Sequence, residues 1–448
     1  MKDKQYEIKI IDLTDKGEGI GKIDDLAVFI DGAVPGDVVE AKIVELKKNY
    51  AIGEIVNIIK ESDVRTNPLC KHFNDCGGCQ IQNIKYDEQL KIKKQVVKDA
   101  LERIGNQKDF VLFDTLGMEN PFHYRNKSSL PLDKNKKIGF YKKRSHDLVS
   151  IDECVIQGQI MNEIMNEIQK KILELNISTY DEKIHKGLLR HIVIRESKSH
   201  NNLMIIFATN GKSFKGLDML VDYLIEKFPQ IISVYQSINK DKGNRIMGYN
   251  NKLIYGKDEI IDTINEYSFK ISPNSFFQVN NIQTEKLYQT ALDYAELKGD
   301  EIVFDLYCGI GTITQFLAKN AKKVYGIESV GSAIDDAVEN TKLNDIDNVE
   351  YISGKAEKEI DQLLGMRIIP DVIVVDPPRK GLDTKLIDKI IDVKPDKLIY
   401  ISCKPSTLAR DIRILTQNGY TLEKVQPVDM FPHTMHVETI VALSKIEK

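Results

Sequence analysis

The chain has 448 residues, of which 42% are hydrophobic and 29% charged, ordinary values that exclude a disordered or collagen-like protein. Lys and Arg total 63 against 67 Asp and Glu, a net charge of -4, so any cationic surface for nucleic acid must be local. The opening MKDKQYEIKI lacks an apolar signal core, and no window approaches the ~18 unbroken apolar residues of a spanning helix, which argues against export and membrane insertion.

Residues 1–60 read as short strands with Val and Ile at near-alternating positions, broken by Gly17, Gly19, Gly21 and Pro35-Gly36. That pattern predicts a small curled antiparallel barrel of OB-like type. Its 9 Lys against 12 Asp and Glu exclude a uniformly basic face. From Glu61 to Gln80 the chain is turn-rich and carries Cys70, Cys76 and Cys79; Cys154 stands alone further on. Six cysteines are too few for a disulfide scaffold, and four soft thiolates suit either zinc or an iron-sulfur cluster. A helical pattern follows over 86–104, stopped by Gly105-Asn106. Asn120 to Arg144 holds eight Lys and Arg and one acid, interleaved with aromatics, a mixture that suits phosphate contacts and base stacking or a solvated basic hairpin. Residues 150–265 alternate helical and strand-like runs without a catalytic motif.

Beyond 266 the runs EIVFDLYC, KKVYGIES, NVEYIS, PDVIVVDPP and KLIYISC alternate with helical stretches, and TLEKVQPVDMF with HVETIVAL closes the chain. This predicts an α/β domain, a Rossmann-like seven-stranded sheet of methyltransferase type with an antiparallel edge. Gly309 and Gly311 follow the first strand and open a helix, and Glu328 ends the second strand where a carboxylate can hold ribose hydroxyls. The third glycine of a dinucleotide fingerprint is Thr314, so the pattern favours S-adenosylmethionine over a pyrophosphate ligand. Asp376-Pro-Pro-Arg379 ends the fourth strand at the same crevice, and Cys403 ends the fifth. Lys404 and the following helix start are expected to favour the Cys403 thiolate. Glu438, just before the last strand, is a candidate general base. A thiol, a carboxylate and a methyl donor suit methylation at C5 of uracil, a carbon made nucleophilic when a thiolate adds at C6.

These residues resemble the RNA 5-methyluridine methyltransferases, specifically the three-domain, iron-sulfur-containing 23S ribosomal RNA type. Ile20-Gly21 with VPGDVV resembles the family's TRAM module, YRNK a central-domain motif, and SFFQVN the entry to the catalytic domain; DPPR, SCKPSTLARD and HTMHVE follow in order. The resemblance implies Cys403 as nucleophile, Glu438 as base, and Gln278, Tyr307, Thr312, Glu328 and Asp376 as cofactor contacts. It also implies a [4Fe-4S] cluster on Cys70, Cys76, Cys79 and Cys154. Met435 stands where a small residue is expected in the HTxHVE pattern.

The expected organisation is a TRAM domain over 1–60, a mixed α+β central iron-sulfur and RNA-binding domain over 61–265 whose helix 86–104 can pack on the catalytic domain, and a methyltransferase domain over 266–448. The expected protein is a cytoplasmic, monomeric enzyme acting on ribosomal RNA. The same chemistry on the T-loop uridine of transfer RNA is one alternative, and a non-catalytic RNA-binding protein is another.

Overall fold

Gly19 and Gly21 let the first strands of the chain lie against one another: a Cβ on Gly21 would sit 2.2 Å from the Ile8 side chain. In the computed structural model, which describes residues 1–446, the N-terminal unit is a six-stranded sheet. Its order is Gln5–Lys9, Val38–Leu46, Tyr50–Lys60, Leu26–Ile30, Gly19–Ile23 and Asp12–Leu13. The sheet curls back on its beginning, where Ile11 N–H donates to the Ile20 carbonyl at 2.8 Å. Alternating residues such as Ile8, Val28, Val39 and Ile43 fill the inside.

The next sheet has five strands, in the order Asn250–Gly256, Ile231–Ile238, Asn202–Thr209, Leu189–Ser197 and Lys127–Pro131. Helices Gln159–Glu174 and Leu217–Lys227 cover one face with Ile164, Ile168, Leu220 and Leu224. The other face joins the catalytic half. Residue 265 is the turn of a hairpin, Ile260–Ile264 with Tyr267–Ile271, and both strands pack in the core shared with the C-terminal sheet. A division after 265 therefore falls inside one packing unit.

The C-terminal sheet has eight strands rather than seven, ordered Val349–Ser353, Lys323–Glu328, Ile302–Leu306, Val372–Val375, Lys397–Ser402, Glu438–Lys445, Tyr420–Val428 and Val111–Leu112. The first five are mutually parallel, and Glu438–Lys445 runs antiparallel to both its neighbours. The eighth strand comes from far upstream and pairs in parallel with Tyr420–Val428. It follows helix Tyr86–Asp99, which widens at Ala100–Ile104 and buries Val97, Ala100 and Leu101 among Leu408, Ala409 and Ile412. Chain order reverses beside Ile302–Leu306, which opens a crevice at the carboxyl ends of the strands. Among the described residues, no helix is long and apolar enough to cross a membrane.

Candidate active site

The first half of the crevice is built by the turn after Ile302–Leu306. Gly311 begins helix Thr312–Ala318 at φ 78°, and a Cβ there would lie 2.2 Å from the Tyr351 hydroxyl. Glycine is therefore required on both steric and backbone grounds. Below the turn, Asp305 is fully buried and accepts from Thr314 Oγ1, while its Oδ1 has no partner. Burial pushes its carboxyl up to about 7. Glu328 accepts Val330 N–H at 2.9 Å, which orients its carboxylate at the end of the second strand. With Tyr307, Gly354, Lys355, Lys380 and Asp383 it lines a cavity of about 200 Å³.

A nucleoside ligand fits this chemistry. The acidic Glu328 can take ribose hydroxyls. Of the residues expected here, Tyr307 and Glu328 line the cavity, whereas Gln278, Thr312 and Asp376 stand outside its wall. The Thr312 hydroxyl shares a 2.9 Å hydrogen bond with Tyr288, and the Gln278 carbonyl accepts from Asn126 Nδ2 at 2.8 Å. Lys355, Lys380 and Asp383 escaped the sequence reading. The one available signal was position, since each follows a strand or the DPPR turn at the same sheet edge.

The second half is set by strand register. Ser402 pairs with Thr439 at the end of the antiparallel ladder, so Cys403 and Glu438 face one another one step beyond. Val375 pairs with Tyr400 on the other side, which brings Asp376 to the same edge. Glu438 is buried at 5% exposure, and burial with the neighbouring Asp376 charge pushes its carboxyl up to about 8. Burial likewise pushes Asp376 to about 7. Cys403 remains partly exposed.

The electrostatics of the thiol differ from expectation. Burial first, then the Glu438 and Asp376 carboxylates, push Cys403 up to about 11. Lys404 is exposed, and the cation that opposes the rise is Arg379. Sheet order places two acids beside the thiol, and their charges add to the effect of burial.

Cys70, Cys76, Cys79 and Cys154 come together from two distant segments around a cavity of about 380 Å³, which Arg125 and Lys127 also line. None is in a disulfide. Cys70 N–H donates to Gln82 Oε1 at 2.7 Å and Cys154 N–H to Asn162 Oδ1 at 2.9 Å, so buried amides fix both backbones. Among the described residues no three His, Cys, Asp or Glu side chains converge on a position for a single metal ion. The thiols ring a space instead.

The basic stretch is only partly free. Lys143 Nζ lies 2.9 Å from Asp31 and above the Phe73 ring, and Arg144 pairs with Glu18. Both cations fasten this stretch to the N-terminal sheet, while Lys137 and Lys142 are exposed.

A model of the tRNA (uracil-5-)-methyltransferase family matches residues 85–446, and one of the TRAM domain matches residues 1–56. The chain belongs to the tRNA (uracil-5-)-methyltransferase family. It is 46% identical over 446 residues to an uncharacterized RNA methyltransferase of Clostridium tetani, covering 99% of this chain and 97% of that one. An uncharacterized RNA methyltransferase of Staphylococcus aureus is 44% identical over 435 residues, 96% of either chain. The crystal structure of Pyrococcus abyssi tRNA (uracil-54, C5)-methyltransferase in complex with S-adenosyl-L-homocysteine is similar at a TM-score of 0.79 and 28% identity, covering 98% of this chain and 100% of that one.

Proposed function

We propose that the chain is an S-adenosylmethionine-dependent enzyme that methylates C5 of a uridine in 23S ribosomal RNA through a covalent bond between Cys403 and uracil C6. The observation that carries this reading is the register that sets Cys403 opposite Glu438, with Asp376 on the adjoining strand. The S-adenosyl-L-homocysteine bound by the Pyrococcus enzyme supports the cofactor, as do Glu328 and the glycine turn. S-adenosylmethionine supplies a methyl group activated by a sulfonium.

Cys403, which solvent reaches, loses its thiol proton to water; the thiolate bonds to C6, and the C5–C6 electron pair moves onto an enolate that makes C5 nucleophilic. After C5 is methylated, the Glu438 carboxylate takes the C5 proton. The electrons of that C–H bond restore the C5–C6 double bond and expel Cys403 as thiolate. Tyr307 and Glu328 hold the nucleoside end of the cofactor, with Gln278, Thr312 and Asp376 as further contacts toward its reacting end.

Cys70, Cys76, Cys79 and Cys154 would hold a [4Fe-4S] cluster. Four thiols spread around one cavity suit a polynuclear group better than zinc, which draws its ligands to a point. As functional units, 1–60 contributes an RNA-binding module, 61–265 the cluster and further RNA contacts, and 266–448 the chemistry, in a cytoplasmic monomer.

Transfer RNA is the second reading. The Pyrococcus enzyme acts on tRNA uracil-54 and matches this chain over its length, so chain length does not separate the substrates. Mass mapping of 5-methyluridine in cells with and without the gene tests the choice: loss from large-subunit ribosomal RNA is expected, and loss from transfer RNA alone would overturn that assignment. On a denaturing gel, Cys403→Ala should form no RNA adduct, whereas Glu438→Gln should stall with methylated RNA attached. Normal turnover by either variant would refute the assigned roles.

A further inference from the structure

The loop from Phe431 to Val437 delivers Glu438 to the crevice, and elements distant in sequence from the catalytic sheet hold it. The His433 carbonyl accepts two N–H groups of the cysteine segment, Gln80 at 3.0 Å and Ile81 at 3.1 Å. Its own N–H donates to Gln89 Oε1 at 3.0 Å, and its Nδ1 lies 3.2 Å from Gln89 Nε2. The imidazole stacks on Phe122, with ring centroids 4.6 Å apart. His433 sits at φ 68°, a conformation that costs free energy for a non-glycine residue and persists where its surroundings fix it.

Two residues on, Met435 is buried at 7% exposure in a small cluster of its own. Its neighbours come from three places: Val34 of the N-terminal sheet, Ile81 and Ile84 of the cysteine segment, and Ile92 and Val96 of helix Tyr86–Asp99. Gly17 touches the same point. A Cβ there would meet the Gln80 side chain at 2.8 Å and Met435 Cγ at 3.3 Å. A small side chain at 435 would leave this junction unfilled, which gives a physical reason for a methionine in this chain.

We propose that His433 and Met435 are positioning residues for Glu438, fixing the loop Phe431–Val437 against the cysteine segment and the N-terminal sheet. They touch no reacting atom. Their part is to keep the Glu438 carboxylate at the C5 proton, so their loss slows proton removal more than thiol attack. The inference rests on the reading of Glu438 as the base.

The test uses the full-length enzyme with Met435→Ala, the volume-conserving Met435→Leu, and the remote Gly17→Ala. Active sites are counted by covalent capture of 5-fluorouridine RNA, so a fall in folded fraction is separated from a fall in rate. Met435→Ala should lower kcat per active site roughly ten- to hundredfold, as a misplaced catalytic group does. Because the slowed step follows methyl transfer, KM for RNA should fall with kcat, leaving kcat/KM within about twofold of wild type. Methylated adduct should accumulate on ordinary RNA. Met435→Leu should restore turnover, and Gly17→Ala should show the same signature more weakly. Glu438→Gln is the control. If it fails to accumulate adduct, the base assignment is wrong. If it accumulates adduct while Met435→Ala and Gly17→Ala keep wild-type kcat per active site, the positioning role alone is refuted.

Discussion

Arg379 Nη2 stands 3.5 Å from His436 Nε2 at the mouth of the crevice. The same guanidinium is the cation that holds down both the Cys403 thiol and the Glu438 carboxyl, each raised by burial and by neighbouring acids. In the proposed reaction, attack by Cys403 and proton removal by Glu438 both need the deprotonated forms. Formation of the 5-fluorouridine adduct should therefore rise with pH from 6.5 through 8 and beyond. Arg379→Gln removes the opposing cation, so the rise should move to higher pH; a profile unchanged by this substitution would show that Arg379 does not set it.

Glu438 also predicts a pH-dependent stability. Its carboxyl is at about 8 in the folded chain against an ordinary 4.5, so the native state binds the proton more tightly than the unfolded state. Its contribution is full below about pH 4.5 and is lost as pH rises through about 8, at up to ~1.4 kcal/mol per unit. Glu438→Gln should gain melting temperature relative to wild type as pH climbs through that window. A constant difference between pH 5 and 9 would contradict the shift.

Lys93 and Asp429 form an ion pair with both side chains fully buried, and Tyr86 adds a 2.8 Å hydrogen bond to the same carboxylate. Lys93→Met leaves that carboxylate without its cation and should cost roughly 3–5 kcal/mol, read as a large fall in melting temperature. Lys93→Met combined with Asp429→Leu should cost less than the single change. A double variant weaker than Lys93→Met would mean that the pair is not the source of the loss.

For the cysteine set, anaerobically purified protein should carry about four irons per chain with broad visible absorbance. Cys76→Ser should remove both. Stoichiometric zinc without iron would overturn the cluster.

The basic stretch should divide into two behaviours. Lys137→Ala with Lys142→Ala should weaken RNA binding and flatten its salt dependence, the slope falling by roughly one per lost phosphate contact. Lys143→Ala and Arg144→Ala remove links to Asp31 and Glu18, so they should instead increase protease sensitivity of the N-terminal sheet. Identical salt slopes for all four variants would erase the distinction.

The parallel strands were readable because strands buried on both faces are uninterrupted apolar runs, as in Val372–Val375 and Lys397–Ser402. Val111–Leu112 was not, since two residues carry no periodicity and their partner lies more than 300 positions away. The residues of the site were legible mainly through motif resemblance, while their electrostatics were not. Lys404 is beside Cys403 in sequence, but Glu438 and Asp376 reach it only through the strand order. In the same way, Lys143 and Arg144 lie in a stretch that suits phosphate contacts or a solvated hairpin, and only the fold brings Asp31 and Glu18 opposite them.

The placement of Val111–Leu112 bears on how the chain can be made. Its neighbour, Tyr420–Val428, emerges from the ribosome about 300 residues later. Until then the helix before it has no Leu408 or Ile412 to cover Val97 and Leu101. That helix must therefore wait, with its apolar face open, until residues 408–412 have been made. A product truncated before helix Pro405–Gln417 loses more than Glu438: it strands an upstream helix without its seat, and becomes a ready client for chaperones and proteases.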